Sequence, residues 1–99
     1  MSEARLEPAG DGRWRLAGEL SFASVGSLLP DGRELLNGGE VVLDLSGVTR
    51  ADSAGVALLV EWLRQARAAG VTLRYAGLPP QMRSLIDLSD LDDILPLDA

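Results

Sequence analysis

An aspartate and a serine stand side by side where a strand pattern gives way to a helix pattern. The segment Val41 to Trp62 passes from a β-branched run through Asp52-Ser53-Ala54-Gly55 into an apolar helical repeat. Backbone N–H groups lack partners in the first turn of a helix, and Asp and Ser side chains commonly accept hydrogen bonds from them. One interpretation is that Asp52 or Ser53 simply caps the helix. The functional interpretation is that Ser53 presents an accessible hydroxyl, where an attached phosphate would lie in the field of the helix dipole.

The residue types that are missing restrict the chemistry further. The chain has no Cys, no His and no Lys, so all nine of its cationic side chains are Arg. This excludes an ordinary zinc site, a thiol nucleophile, a Ser-His-Asp relay and a Lys-dependent phosphate loop. Ser53 loosely resembles the serine of a hydrolase elbow, but no imidazole is present to activate it. We therefore expect a protein that is not an enzyme and that has no catalytic residues, no metal and no cofactor.

Composition and charge indicate the class of partner. The formal net charge is −6, which argues against a nucleic-acid partner or an anionic membrane surface. Neither a signal peptide nor a stretch of about eighteen apolar residues is present, so we expect a cytoplasmic protein without direct membrane insertion. The aspartates from Asp87 to Asp98 are expected to form a solvated face. The length and the absence of repeats favour a single domain over residues 1–99.

The elements that must position Ser53 follow from the apolar periodicity. In chain order they are an N-terminal hairpin (Ala4–Glu7 and Arg13–Ala17), a helix over Phe22–Leu36 kinked or split at Pro30, a strand over Glu40–Leu45, a helix over Ser53–Ala69 stopped by Gly70, a strand over Val71–Tyr75, a third helix opened by Pro79-Pro80 and running through Ile86, and a short apolar tail over Leu91–Leu97. Glu40–Leu45 is nearly continuously apolar, which predicts a central strand covered on both faces. Strands separated by helices pair in parallel, so we expect an α/β fold: a mixed sheet of about four to five strands with helices packed against it.

Two tryptophans need separate interpretations. Trp14 alternates with arginines and is expected on the inner face of the sheet. In the Ser53 helix the core face is predicted to consist of Val56, Leu59, Val60, Leu63 and Ala66. Trp62 lies on the flank of that stripe, so it either joins the core or anchors an interface.

The run Leu43-Asp44-Leu45-Ser46-Gly47-Val48-Thr49-Arg50-Ala51-Asp52-Ser53-Ala54-Gly55 resembles the signature of STAS domains, found in anti-sigma factor antagonists and in sulfate transporter tails. Gly18-Glu19-Leu20 and the order of elements support the resemblance, which extends from about Trp14 to Leu97. It implies the STAS fold and a regulatory or accessory role. Within the family, Ala54 to Leu59 and the ending Asp93 to Leu97 are most similar to the small STAS subunits of Mla-type phospholipid ABC transporters of Gram-negative bacteria.

That resemblance implies a non-catalytic subunit that binds and supports the ABC-type ATPase, and through it the membrane permease, at the cytoplasmic side of the inner membrane. The partner-binding residues are then expected to be Asp52, Ser53, Ala54 and Gly55, with Trp62 as a further contact. The alternative is an anti-sigma factor antagonist, which binds an anti-sigma kinase and is switched by phosphorylation at Ser53. In such antagonists the matching serine is followed by Ser or Thr and then Gly-Leu-Gly, whereas Ser53 is followed by Ala54-Gly55-Val56-Ala57.

Overall fold

One four-stranded sheet, with helices on one of its faces, forms the fold of the computed structural model, which describes residues 4–37, 39–89 and 95. The elements are β1 (Arg5–Pro8), β2 (Arg13–Leu20), α1 (Val25–Leu28), a 3-10 turn (Leu29–Asp31), α2 (Gly32–Leu35), β3 (Glu40–Ala51), α3 (Ser53–Ala69), β4 (Thr72–Ala76) and α4 (Pro80–Leu88). The strands lie in chain order, with β1 antiparallel to β2 and with β3 parallel to both β2 and β4. The predicted mixed α/β sheet is therefore confirmed.

The position of β3 at the centre of the sheet is confirmed, but its predicted coverage on both faces is wrong. Val41, Leu43 and Leu45 are buried toward the helices, whereas Val42 and Asp44 are only half-buried on the opposite face. That face carries exposed or half-buried residues on β2 and β4 as well. Asp44 in the middle of the run already breaks the fully apolar pattern that a doubly covered strand requires.

β3 is also six residues longer than the predicted Glu40–Leu45 strand, because it extends to Ala51. The polar stretch that follows Leu45 pairs in parallel with the end of β2, up to the pair Leu20 and Ala51. Register shifts in this ladder allow the pairing to continue, and Val48 and Ala51 return to the buried face. As a result, the Asp52-Ser53 junction lies at the carboxyl edge of the sheet, directly after the paired end of β3.

The predicted Phe22–Leu36 helix is split, as expected at Pro30, into α1, the 3-10 turn and α2. Pro30 lies within the 3-10 turn, where its missing N–H does not interrupt a long helical ladder. Phe22 is not part of this helical segment, and its side chain is 88% exposed rather than buried on the helix face. Leu28 and Leu35 are the residues through which this segment joins the core.

α3 spans the predicted Ser53–Ala69, and Gly70 terminates it in the left-handed conformation at φ 72°. The Gly70 N–H donates to carbonyl groups of the last turn, which satisfies acceptors that a helix end would otherwise leave free. β4 and α4 match the predicted strand and third helix to within a residue or two. Most of the predicted tail Leu91–Leu97 lies outside the described residues, although Leu95 is buried in the core. Within the described ranges, no helix combines the length and the apolarity needed to cross a bilayer.

Candidate functional site

Asp52, and not Ser53, caps α3. Asp52 adopts an extended conformation, and its Oδ1 accepts a hydrogen bond from the Ala54 N–H at 2.9 Å. Ser53 is the first helical residue, its side chain is exposed, and its hydroxyl makes no hydrogen bond within the described part of the chain. The capping interpretation therefore holds for Asp52 alone, and the Ser53 hydroxyl faces solvent without a structural task in the helix.

The Asp52 carboxylate also joins two distant segments. Its second oxygen, Oδ2, accepts from the Phe22 N–H at 3.2 Å, thirty residues earlier in the chain. The Asp52 N–H in turn donates to the Leu20 carbonyl oxygen, which continues the ladder between β2 and β3. The loop after β2 is thus fastened beside the start of α3, and the Phe22 backbone lies next to Asp52. We call the group of Phe22, Asp52, Ser53 and Ala54 the Ser53 surface.

Local hydrogen bonds hold the loop that carries Phe22. The Ser24 hydroxyl donates to the Glu19 carbonyl at 2.7 Å, and the Ser21 N–H donates to the Ser24 hydroxyl oxygen at 2.9 Å. The Ala23 N–H donates to the Ser21 hydroxyl oxygen at 3.3 Å. These bonds define a turn around Phe22 rather than a first helical turn, since Ser side chains compete with the helix for backbone groups. In the sequence, Ser21 and Ser24 are the residues that could have indicated this turn.

Gln81 on α4 fixes the other side of the junction, and the sequence pattern did not indicate it. Its side-chain Oε1 accepts from the Ala51 N–H at 2.9 Å, and its Nε2 donates to the Ala51 carbonyl oxygen at 2.7 Å. β4 pairs with β3 only as far as Ala76 and Asp44, so no described strand lies beside this edge of β3 at Ala51. The Gln81 amide takes the place of that strand, and it holds the residue directly before Asp52.

Gly55 supports the surface from beneath instead of contributing to it. The residue is buried, and a Cβ at this position would lie 2.8 Å from the Leu20 Cβ and 3.1 Å from the Leu20 carbonyl oxygen. Contacts that short do not occur without movement, so only glycine lets α3 begin this close to the end of β2. Of the four predicted loop residues, Asp52, Ser53 and Ala54 therefore reach the surface, whereas Gly55 sets the position of the helix.

Trp62 belongs to the core, so the prediction that it contacts a partner directly is wrong. Its side chain is fully buried, and its indole packs beneath Gly32 of α2, where a Cβ would lie only 2.7 Å from Nε1. Nε1 has no hydrogen-bond partner within the described residues. The α1–α2 segment covers the flank of α3 that the helical pattern left unassigned. Trp14 is half-buried against the core, consistent with the predicted inner face.

A shallow groove runs from the Ser53 surface along α3. Its walls come from α1, the 3-10 turn and α3, and it is lined by Val25, Leu29, Ala54, Ala57, Leu58 and Glu61. Apart from Glu61 the lining is apolar, and Leu29 is 40% exposed. On the opposite side of Ser53, a more polar cleft is bordered by Glu19, Arg50 and Gln81 among others.

Acidic groups mark the two ends of the groove. Asp52 lies at one end, and Glu61 accepts hydrogen bonds from Arg64 at 2.6 Å and from Gln65 at 2.9 Å at the other. These bonds, first of all that from Arg64, lower the pKa of Glu61 to about 2, so this carboxylate stays charged at neutral pH. Among the described residues, no three acidic side chains come together as metal ligands. The site offers an exposed hydroxyl, an exposed aromatic ring and an apolar groove, which are features of a contact surface.

Comparisons with known proteins agree with this fold. Solved structures that resemble the chain include an anti-sigma factor antagonist from Mycobacterium paratuberculosis (TM-score 0.78, 22% identity, covering 98% of this chain and 85% of that one), a protein from Thermotoga maritima described as an anti-sigma factor antagonist (TM-score 0.76, 20% identity, 97% and 86%), and the Bacillus cell fate determinant SpoIIAA in its phosphorylated form (TM-score 0.68, 18% identity, 97% and 91%). These likenesses establish the fold.

No significant match was found among curated protein sequences. The family model described as "Mlab, STAS domain" matches residues 7–96, which include every strand and helix described above except the first two residues of β1. The chain therefore belongs to the MlaB-like STAS domain family.

Proposed function

We propose that this protein is a non-catalytic accessory subunit that binds the ATPase of an Mla-type phospholipid-transporting ABC complex through the Ser53 surface. The observation that carries the proposal is the family match over residues 7–96, combined with a Ser53 side chain that faces solvent at the start of α3. We further propose that residues 1–99 act as one domain, and that the protein lies in the cytoplasm and reaches the inner membrane only through its partner.

The construction of the junction suits a docking role. The Ser53 hydroxyl makes no hydrogen bond to the described residues, while Asp52, Gly55 and Gln81 hold the backbone around it, so a partner can contact Ser53 without disturbing the fold. A surface that is ordered before binding loses less conformational entropy when the complex forms.

Affinity purification of the tagged protein from its native cells tests the proposal directly. Recovery of an ABC ATPase together with membrane permease subunits is the expected result. Ser53→Arg places a long cation on the surface and should abolish recovery, whereas Ser53→Ala should retain it, because the hydroxyl does not cap the helix. If the Ser53→Arg variant folds normally and still recovers the same ATPase, the Ser53 surface is not part of the interface.

The second candidate is an anti-sigma factor antagonist that is switched by phosphorylation at Ser53. Exposure of the Ser53 hydroxyl at the first position of α3 favours it, since a phosphate there would lie in the favourable field of the helix N-terminus, although the Ala54 and Gly55 N–H groups already donate to Asp52. The carboxylate of Asp52 next to Ser53 works against it by like-charge repulsion. Mass analysis of Ser53 in the same purified sample separates the two functions: a phosphorylated serine with a co-purified kinase supports the antagonist, and an unmodified serine with an ABC ATPase supports the transporter subunit.

A further inference from the structure

We propose that Phe22 is the anchor of the docking surface and inserts into an apolar pocket of the partner whose rim carries a cationic side chain. The inference rests on the proposed function, which supplies the ATPase as the partner, and it adds the chemistry of the contact. Phe22 lies outside the Asp52-Ser53-Ala54-Gly55 motif, in a loop contributed by a different part of the chain.

The exposure of Phe22 is the first argument. Its side chain is 88% exposed, and the other exposed large apolar side chains in the described part of the chain are Leu29 at 40% and Leu88 at 85%. Single exposed apolar residues are common on protein surfaces, so exposure alone does not indicate a contact. The three residues differ in position. Phe22 belongs to the Ser53 surface and Leu29 lines the groove that begins there, whereas Leu88 lies on α4 and does not line the groove.

The rigidity of the loop is the second argument. The Phe22 N–H donates to Asp52, and hydrogen bonds among Ser21, Ala23, Ser24 and Glu19 hold the turn on both sides. An aromatic ring on such a turn has few torsions to lose when it is buried, which is the property of residues that dominate binding free energies.

Continuity with the groove gives the anchor an apolar neighbourhood. Val25, three residues after Phe22, begins the groove, and Ala54 and Ala57 form its opposite wall. Small side chains on α3 leave room for a protruding element of the partner. Phe22 and the groove together thus form one apolar face, from which a partner can exclude water around the ring.

The acidic side chains on this face indicate which kind of partner it can bind. The carboxylate of Asp52 lies directly beside the backbone of the anchor, and that of Glu61, at the far end of the groove, is paired with Arg64. Of the two, Asp52 makes no ion pair within the described residues. A second copy of this chain would bring like charges together on this face, and each copy has a net charge of −6. An anionic lipid surface is disfavoured for the same reason. A partner with an apolar pocket and an Arg or Lys at its rim complements both the ring and Asp52.

The test uses the purified full chain and the purified ATPase that co-purifies with it, titrated by calorimetry. Phe22→Ala should weaken binding at least about 30-fold, the loss typical of an anchor residue. Leu88→Ala is the matched control, equally exposed but outside the face, and should stay within about 3-fold of wild type. Thermal unfolding of Phe22→Ala should match wild type, because the ring is not part of the core. Added salt should weaken wild-type binding.

Each other outcome overturns a specific statement. If Ser53→Arg abolishes binding but Phe22→Ala binds like wild type, the anchor is refuted and the proposed function stands. If the wild-type protein binds no ATPase, the proposed function fails and the anchor fails with it. If sedimentation finds a wild-type dimer that Phe22→Ala dissociates, the ring serves self-association. If the protein binds anionic vesicles and the binding depends on Phe22, the ring contacts a membrane. Either result refutes the proposed partner.

Discussion

The Gln81 amide is the most testable structural device at the junction. Gln81→Leu keeps a side chain of similar size but removes both hydrogen bonds to Ala51. Each bond contributes about 1 kcal/mol net, and an Ala51 N–H left without a partner would add a further penalty. Gln81 is itself exposed, so water can reach the freed groups and reduce that penalty. We expect the free energy of unfolding to fall by about 1–3 kcal/mol.

Urea unfolding followed by tryptophan fluorescence measures this change, since the fully buried Trp62 reports loss of the core. The midpoint should shift while the slope with urea stays constant, because the unfolded surface area is the same. Ser84→Ala is the control: Ser84 is also exposed on α4, but its hydroxyl makes no hydrogen bond within the described residues. This control should change stability by less than about 0.5 kcal/mol.

Gln81→Glu makes the same reasoning sensitive to pH. A carboxylate can accept from the Ala51 N–H, but it cannot donate to the carbonyl oxygen that Nε2 now reaches at 2.7 Å. The protonated acid can donate, so folding should raise the pKa of this Glu above its unfolded value of about 4.3. The variant should therefore approach wild-type stability below that pH and lose the gain as the pH rises. If Gln81→Leu is as stable as wild type, or if the stability difference between Gln81→Glu and wild type does not change with pH, the amide does not act in place of a strand.

Three further predictions concern single contacts. Asp52→Ala removes the α3 cap and the bond to the loop, so urea titration should show a loss of about 1–2 kcal/mol; an unchanged midpoint would contradict the capping role. Tyr75→Phe removes the buried hydroxyl that donates to the Leu59 carbonyl at 2.6 Å and should cost about 1 kcal/mol at neutral pH, where burial keeps the pKa of Tyr75 raised and the hydroxyl protonated; a shift below about 0.3 kcal/mol would contradict it. Glu61→Gln should remove a stabilisation that wild type has above pH 4.5 and loses as the pH falls toward about 2, so wild-type and variant stabilities should converge on acidification; a constant difference would show that the pair with Arg64 does not act on folding.

The proposals at the Ser53 surface have a common physical basis. Asp52 both caps α3 and holds the Phe22 backbone, so one carboxylate joins the loop that carries the aromatic ring to the helix end that carries the hydroxyl. Gly55 lets α3 begin close to the end of β2, and the Gln81 side chain ties α4 to the end of β3. A partner therefore meets a surface whose shape is set by the carboxyl edge of the sheet, and mutations beneath that edge should alter binding only through stability or position.

Local signals were sufficient for several parts of the fold. α3 begins after Asp52 and ends at Gly70 as predicted, because a capping carboxylate and a left-handed glycine act within a single turn. The antiparallel N-terminal pair and the break near Pro30 likewise followed from a few residues, whereas β3 is central without the coverage on both faces from which its place was predicted. The absence of Cys, His and Lys restricted the chemistry without any structure.

Tertiary structure decided which of those residues form the surface. Phe22 and Trp62 were both placed by helical spacing, yet one is 88% exposed and the other fully buried, because the Ser21–Ser24 turn directs the first outward while α2 covers the second. β3 extends to Ala51 because β2 and Gln81 supply partners for its polar end. Periodicity reports the faces of an isolated element, but exposure depends on what packs against each face, and those contacts come from residues that are distant along the chain.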